Sequence, residues 1–168
     1  MAKVRREVNK SAVAGLVAIA GMDKVVGKVG WFESAHYPST EGGLPVAYVA
    51  AIHEFGSPQN NIPPRLGMRA TADDNKAKWG DTSRVVAKQV LANKMSPVQA
   101  METIGLKAAG DVRKHIATVT SPPLKVATVK RRLAGKKQGN VVSITIAKPL
   151  VHTGHLLATL TNIVEGKK

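Results

Sequence analysis

"VAYVAAIHEFGSPQNNIPPR", residues 46–65, carries the reading on which the fold turns. Pro45, just ahead of it, suits the first turn of a helix. Tyr48, Ala51, Ile52 and Phe55 then fall at i, i+3, i+4 and i+7, one continuous apolar face. Val46, Val49 and Ala50 make the other side apolar too, so the spacing predicts a helix buried nearly all round. Gly56 suits the left-handed position past a helix end, and Pro58 follows where proline commonly does. Ile62 precedes a proline and is expected to be extended, and Pro63-Pro64 stiffen the entry into the next segment. His53 beside Glu54 raises the question of a metal or an acid–base pair.

Outward from this stretch the pattern alternates between helix and strand. Upstream, residues 5–20 place Val13, Leu16, Val17 and Ala20 at helical spacing, and Gly21 ends the segment. Residues 24–33, "KVVGKVGWFE", alternate as a strand weakened by two glycines. Residues 34–45 are loop by composition. Downstream, two helices are expected at about 65–78 and 81–94, or one helix broken near Gly80. Ser96-Pro97-Val98-Gln99 is a strong helix start, with Ser as cap, Pro at the first position and Gln three residues on. The helix it opens carries Met101, Ile104, Gly105, Ala108, Val112, His115, Ile116 and Val119 on one stripe. Residues 120–140 form a basic, proline-opened excursion with a short helix around Thr128 to Leu133. Val142, Ile144 and Ile146 alternate as a strand that Pro149 ends, Thr153 caps a short helix over 154–159, and residues 160–164 close with a strand. This order predicts an α+β fold: a small, mostly antiparallel sheet packed against several helices, with long basic and Pro-rich loops. At 168 residues the chain fits a single domain over 1–168, with no internal repeat.

Composition removes several function classes. Apolar residues make up 43%, ordinary for a folded chain, and the absence of cysteine excludes disulfides, thiolate zinc sites and a Cys nucleophile. No run of apolar residues is long enough to span a bilayer. The start, "MAKVRREVNKSAVAGLVAIAGM", has a superficial likeness to a signal peptide, but its apolar part is short and lies behind a mixed-charge stretch. It is read as a helix of the mature protein, made in the cytoplasm.

Charge is the loudest feature: 25 Lys and Arg against 11 Asp and Glu, a formal +14. Such an excess implies an anionic neighbour, nucleic acid or an acidic protein face. The cations thicken between 107 and 137, where Lys107, Arg113, Lys114, Lys125, Lys130, Arg131, Arg132, Lys136 and Lys137 face only Asp111. The plainer reading of the same tract is a solvated basic face.

Enzyme chemistry finds no support at this level. His53 and Glu54 are adjacent on a helix, so their side chains diverge by about 100°. An HExxH site needs a second histidine where Ser57 stands. His152 and His155 in "HTGH" can share a helix face, but no nearby acid completes a ligand set. Phosphate-binding loops, nucleophile elbows and paired carboxylates in apolar settings are lacking. No metal or cofactor is expected. Sequence-specific nucleic-acid readers show a recognition helix, a finger or an aromatic platform. Here the basic residues gather around a proline-broken loop without aromatics, which would give salt-sensitive, sequence-blind attraction.

Two stretches carry a resemblance. Residues 46–65 resemble a segment in which a helix ends in Glu-x-Gly and is followed by a short loop and an Ile-Pro-x-Arg element. "PPLKVATVKRR…KPLVHTGHLL" resembles a second signature: a Pro-Leu…Thr element, a basic tract, then Lys-Pro-Leu-(apolar)-x-Thr-Gly-x-Leu before a final strand. Both belong to a family of tailed-phage virion proteins, the neck and tail-completion group, also labelled virion morphogenesis or minor tail proteins. The matched positions are Glu54, Gly56, Ile62, Pro63, Arg65, Thr128, Lys148, Pro149, Leu150, Thr153, Gly154 and Leu156. Many relatives follow the Ile-Pro-x-Arg element with Pro-Phe, whereas Leu66-Gly67 stands here.

The resemblance implies a non-enzymatic head–tail connector that joins a DNA-filled head to a tail. Its partners would be further copies of itself in a ring, with a hexamer the expected count. Neighbouring head–tail adaptor, tail terminator or tail tube proteins would follow, with non-specific contact to DNA in the channel and none to a membrane. The 107–137 tract would face that DNA or an acidic neighbouring ring. Glu54 is expected to satisfy backbone donors in the turn at Gly56 or to pair with Arg65. The alternative from a different class is a stand-alone, non-specific nucleic-acid-binding protein.

Overall fold

The computed structural model describes residues 10–65, 67–134 and 148–166. The architecture is α+β: among the described residues there are six α-helices and one two-stranded antiparallel sheet. In chain order these are α1 (Lys10–Met22), β1 (Val25–Gly30), α2 (Val46–Phe55), α3 (Met68–Leu91), α4 (Pro97–Thr118), α5 (Val126–Ala134), α6 (His155–Ala158) and β2 (Thr161–Gly166). The strand expected at 142–146, together with Lys136 and Lys137, lies outside the described residues.

The chain divides into two compact units. The first holds residues 10–29, 76–108 and 162–166. Its core is Val86, Val90 and Ala100, with Ala18, Ile19, Met22, Met95 and Ile104 packed against them. α1 approaches the end of α3 so closely that a Cβ on Gly15 would lie 2.2 Å from the Leu91 carbonyl oxygen. This contact corrects the sequence reading of α1. Gly15, Ala18, Ile19 and Met22 turn inward, whereas Val13, Leu16, Val17 and Ala20 lie exposed. Small residues allow backbones to meet, and the larger aliphatics are left outside.

α4 opens with the expected capping box. The Gln99 backbone N–H donates to Ser96 Oγ at 3.2 Å, and the Ser96 N–H donates to Gln99 Oε1 at 2.9 Å. Such a cap contributes about 1 kcal/mol. The strands lie on this helix through small residues: Gly27 sits beside Met101, and a Cβ on Gly105 would meet the Asn162 side chain at 3.0 Å. An exposed ion pair, Lys28 Nζ to Glu165 Oε2 at 2.6 Å, ties β1 to β2 and contributes little in water.

The second unit holds residues 30–65, 67–75, 109–134 and 148–161. Its buried side chains include Val46, Ala50, Val112, Ile116, Leu150, Leu156 and Leu160, joined by three polar ones, Glu54, Arg65 and Thr71. Here too the helix reading is corrected. α2 is not buried all round: Val46, Ala50 and Glu54 face in, while Tyr48, Ala51 and Phe55 are exposed. α3 runs unbroken from Met68 to Leu91, so Gly80 does not divide it. A lone glycine costs a helix only about 1 kcal/mol relative to alanine, too little to break one of this length. α5 falls where a short helix was expected, and α6 begins at His155, one residue later than expected.

Candidate functional site

The site is built on the start of α3. A helix leaves its first four N–H groups without intrahelical partners, and a Ser, Thr, Asp or Asn just ahead normally takes one of them. "PPRLG" ahead of Met68 holds no such residue. The carboxylate of Glu54, at the end of α2, serves instead. Its Oε2 accepts from the N–H groups of Gly67 (2.7 Å) and Met68 (3.0 Å), and its Oε1 accepts from the Arg69 N–H and Arg69 Nε, both at 3.0 Å. Arg69 Nη2 also donates to the Glu54 carbonyl at 3.1 Å, and its guanidinium lies over the Phe55 ring. Thr71, fully buried, donates its hydroxyl to the Gly67 carbonyl at 2.5 Å. Burial alone would push the Glu54 carboxyl up. The N–H groups of Met68, Arg69 and Gly67 and the Arg69 side chain outweigh it, and the net shift is below the ordinary carboxylate value.

This arrangement corrects the sequence expectation for Glu54. Its donors lie at the start of α3 rather than in the turn at Gly56, and its cationic partner is Arg69 rather than Arg65. With four donors on two oxygens it is a clamp between helices, and it has no lone pair directed at a substrate.

The turn that brings α2 back toward α3 depends on Gly56, at φ 77° and ψ 175° rather than in the expected left-handed helical conformation. Its N–H donates to Ile52, and a Cβ would lie 2.9 Å from both the Ile62 carbonyl oxygen and the Pro64 nitrogen. Ser57 and Ile62 exchange two backbone hydrogen bonds, and the Arg65 N–H returns to the His53 carbonyl at 2.7 Å. The loop is therefore closed on itself at both ends.

Arg65 links the two stretches that carry the resemblance. Its Nε donates to the Pro122 carbonyl at 2.8 Å and its Nη2 to the Pro123 carbonyl at 3.1 Å. Arg132 does the same one step further on, donating to the carbonyls of Lys148 (2.8 Å) and Pro149 (3.3 Å). Lys148 Nζ donates to Ala117, Pro149 and Leu150 are buried, and the Leu156 carbonyl accepts from Trp31 Nε1 at 2.7 Å. Gly154 takes a positive φ ahead of α6, and the Thr153 hydroxyl accepts from the His155 N–H at 3.4 Å. Thr128 and Pro63 both line one cleft. All the matched positions thus fall in the second unit.

His53, His152 and His155 line one cavity with Tyr37 and Glu41, without forming a ligand set. His155 Nε2 meets the His36 carbonyl at 2.8 Å and its ring packs near Tyr37. A carbonyl only accepts, so that nitrogen carries a proton and is closed to a metal. His152 lies outside α6, so the two do not share a helix face. Among the described residues no group of three His, Asp or Glu is placed to hold a metal ion. His53 diverges from Glu54, and its Nδ1 is buried without a hydrogen-bond partner. Burial, then Arg65 and Arg132, hold its pKa below the ordinary value. Protonating it therefore opposes folding. Stability should be full above about pH 6.5, the unfolded histidine value, and should fall as pH drops from there toward the lowered folded value. Unfolding midpoints measured across this window should decline in the wild type and flatten in His53→Gln.

The cations of the 107–134 stretch divide into two kinds. Arg113 donates to the Leu157 carbonyl at 3.3 Å and to the Leu160 carbonyl, and Arg132 is held by the carbonyls named above. These two pin loops to helices. Lys107, Lys114, Lys125, Lys130 and Arg131 are exposed. Sequence reasoning missed Arg69, Gly67 and Thr71; the signal was a helix start without its own capping residue. Among the described residues no helix is long and apolar enough to cross a membrane. Compared with protein-family models, curated proteins and solved structures, the chain finds no match.

Proposed function

We propose that this chain is a structural virion protein of a tailed phage, forming a ring at the head–tail junction or upper tail around the DNA channel. The observation that carries the reading is apolar helix surface left exposed among the described residues. In the first unit Leu16 and Val17 are 63% and 67% exposed on α1; in the second, Tyr48 and Phe55 are 56% and 66% exposed on α2. Such surface is suited to contact with other proteins and supports an assembled role. The ordered pair of family-like stretches, joined through Arg65, supports the same reading. So does a loop clamped by proline and paired backbone, which loses little entropy on docking. The role asks for no catalysis, and the saturated Glu54 offers none.

Replacing Leu16 and Val17 together with Asp should leave the unfolding midpoint nearly unchanged, within about 0.5 kcal/mol, because both are already in water. The same change should abolish ring formation in mass photometry and remove the chain from purified particles. Assembly at wild-type levels would count against α1 as a subunit contact.

The exposed Lys114, Lys125, Lys130 and Arg131 favour a second reading, a monomer that binds nucleic acid without sequence preference. It requires duplex binding by the isolated chain that weakens steeply with salt. Absence of binding at low salt ends it.

A further inference from the structure

A cleft of about 530 Å³ opens in the second unit between the Asn60–Arg65 loop and α5. Ile62, Pro63, Pro123 and Leu124 give it apolar walls, and Arg65, Lys125, Arg131 and Arg132 give it charge; no Asp or Glu among the described residues lines it. Arg65 is only 5% exposed, and both of its hydrogen bonds go to neutral carbonyls. No carboxylate among the described residues lies within ion-pair distance of it. A cation taken out of water without a counter-ion is costly. Burial, Arg131 and Arg65 all depress the pKa of Arg132, so the cations crowd one another.

We propose that this cleft is the docking site for an acidic peptide segment of a protein partner, a Glu or Asp side chain entering between Arg65 and the α5 cations while neighbouring apolar residues cover Ile62 and the prolines. A protein segment fits better than a nucleic-acid backbone. Arg65 lies inside the cleft, where a side chain on a narrow peptide can reach and a broad duplex cannot. A duplex would touch only the exposed Lys125 and Arg131 and would leave the apolar walls unfilled. An arriving carboxylate supplies the missing counter-ion, and the desolvated pair then fixes register as well as affinity. The inference stands apart from the virion reading, since peptide binding in solution succeeds or fails whether or not the chain is found in particles.

The test uses the full chain and three fluorescent probes: a Glu-Pro-Ile repeat peptide, its Gln-Pro-Ile counterpart and a short DNA duplex. The Glu peptide should bind at least about tenfold tighter than the Gln peptide, and Lys125→Glu with Arg131→Glu should remove that advantage. Lys88→Glu with Lys94→Glu makes the same change in net charge in the first unit and should weaken binding less than about threefold. Both pairs are exposed, so the fold should survive. The Arg65 Nε–H resonance should shift on adding the Glu peptide, a readout that needs no variant. Equal binding of the two peptides, equal loss in the two charge-reversed pairs, or binding of the duplex alone would each overturn the proposal.

Discussion

Glu54→Gln should lower the stability of the second unit by roughly 2–4 kcal/mol, because hydrogen bonds to a charged group are worth about 1.5–3 kcal/mol each and their buried donors are costly to orphan. The reason lies in the donor count. Oε1 and Oε2 each accept two N–H groups, so whichever position the amide nitrogen of Gln occupies sets a donor against donors. The start of α3 then loses its cap and α2 loses its link to it. Urea denaturation should show a lower midpoint with an unchanged slope. Arg69→Met should cost less, about 1 kcal/mol, since that guanidinium is more than half exposed and water replaces part of what it loses. Acid should narrow the gap. With its folded pKa depressed, Glu54 contributes fully above the unfolded value of about 4.3 and loses that contribution as pH falls through the folded value. Wild type and Glu54→Gln should converge there. Unchanged stability in Glu54→Gln would return the residue to the chemical role its histidine neighbour first suggested.

Gly15→Ala should be the second large effect, and its sign is the informative part. Alanine in place of glycine ordinarily favours a helix by up to about 1 kcal/mol. At Gly15 the added carbon would fall 2.2 Å from the Leu91 oxygen and 3.1 Å from its carbonyl carbon. These are backbone atoms at the end of α3 and cannot rotate aside. α1 must therefore lift from the cluster of Val86, Val90 and Ala100, at a cost of about 2–4 kcal/mol. Amide exchange across residues 10–22 should quicken. Gly80→Ala, inside α3 with nothing within 4 Å, should stabilise by up to about 1 kcal/mol. Loss of stability at both sites would mean that helix register, rather than the α1–α3 contact, sets the result.

The same two residues mark how far the sequence can be read. α4 was the most legible element because its cap, its proline and its apolar stripe all point one way, although the buried Ala100 and Ala109 lie off that stripe. The α+β class followed from the order of patterns. The inward faces of α1 and α2 were not legible, and for physical reasons. Both helices are apolar on more than one side, so periodicity alone cannot select a face. In α1 the choice falls to Gly15, where backbone approach outweighs the area offered by Leu16 and Val17. In α2 it falls to Glu54, which must turn inward to cap α3. One helical turn and two turns back, Ala50 and Val46 follow it in, and Tyr48 and Phe55 are carried outward. The cap itself was hidden because its two halves are more than a dozen residues apart. What local sequence displays at the start of α3 is the lack of a capping residue, which states a need without naming its answer. Arg65 is similar: an arginine after two prolines looks like surface, and only the fold brings the Pro122 and Pro123 carbonyls to it.

The exposed apolar faces of α1 and α2 give the assembly claim its physical content, and imaging tests it most directly. Tailed particles carrying a labelled copy of this chain should show it in a closed ring at the head–tail junction or upper tail, around the channel. A chain that remains a stable monomer in solution and is absent from mature particles would contradict the account.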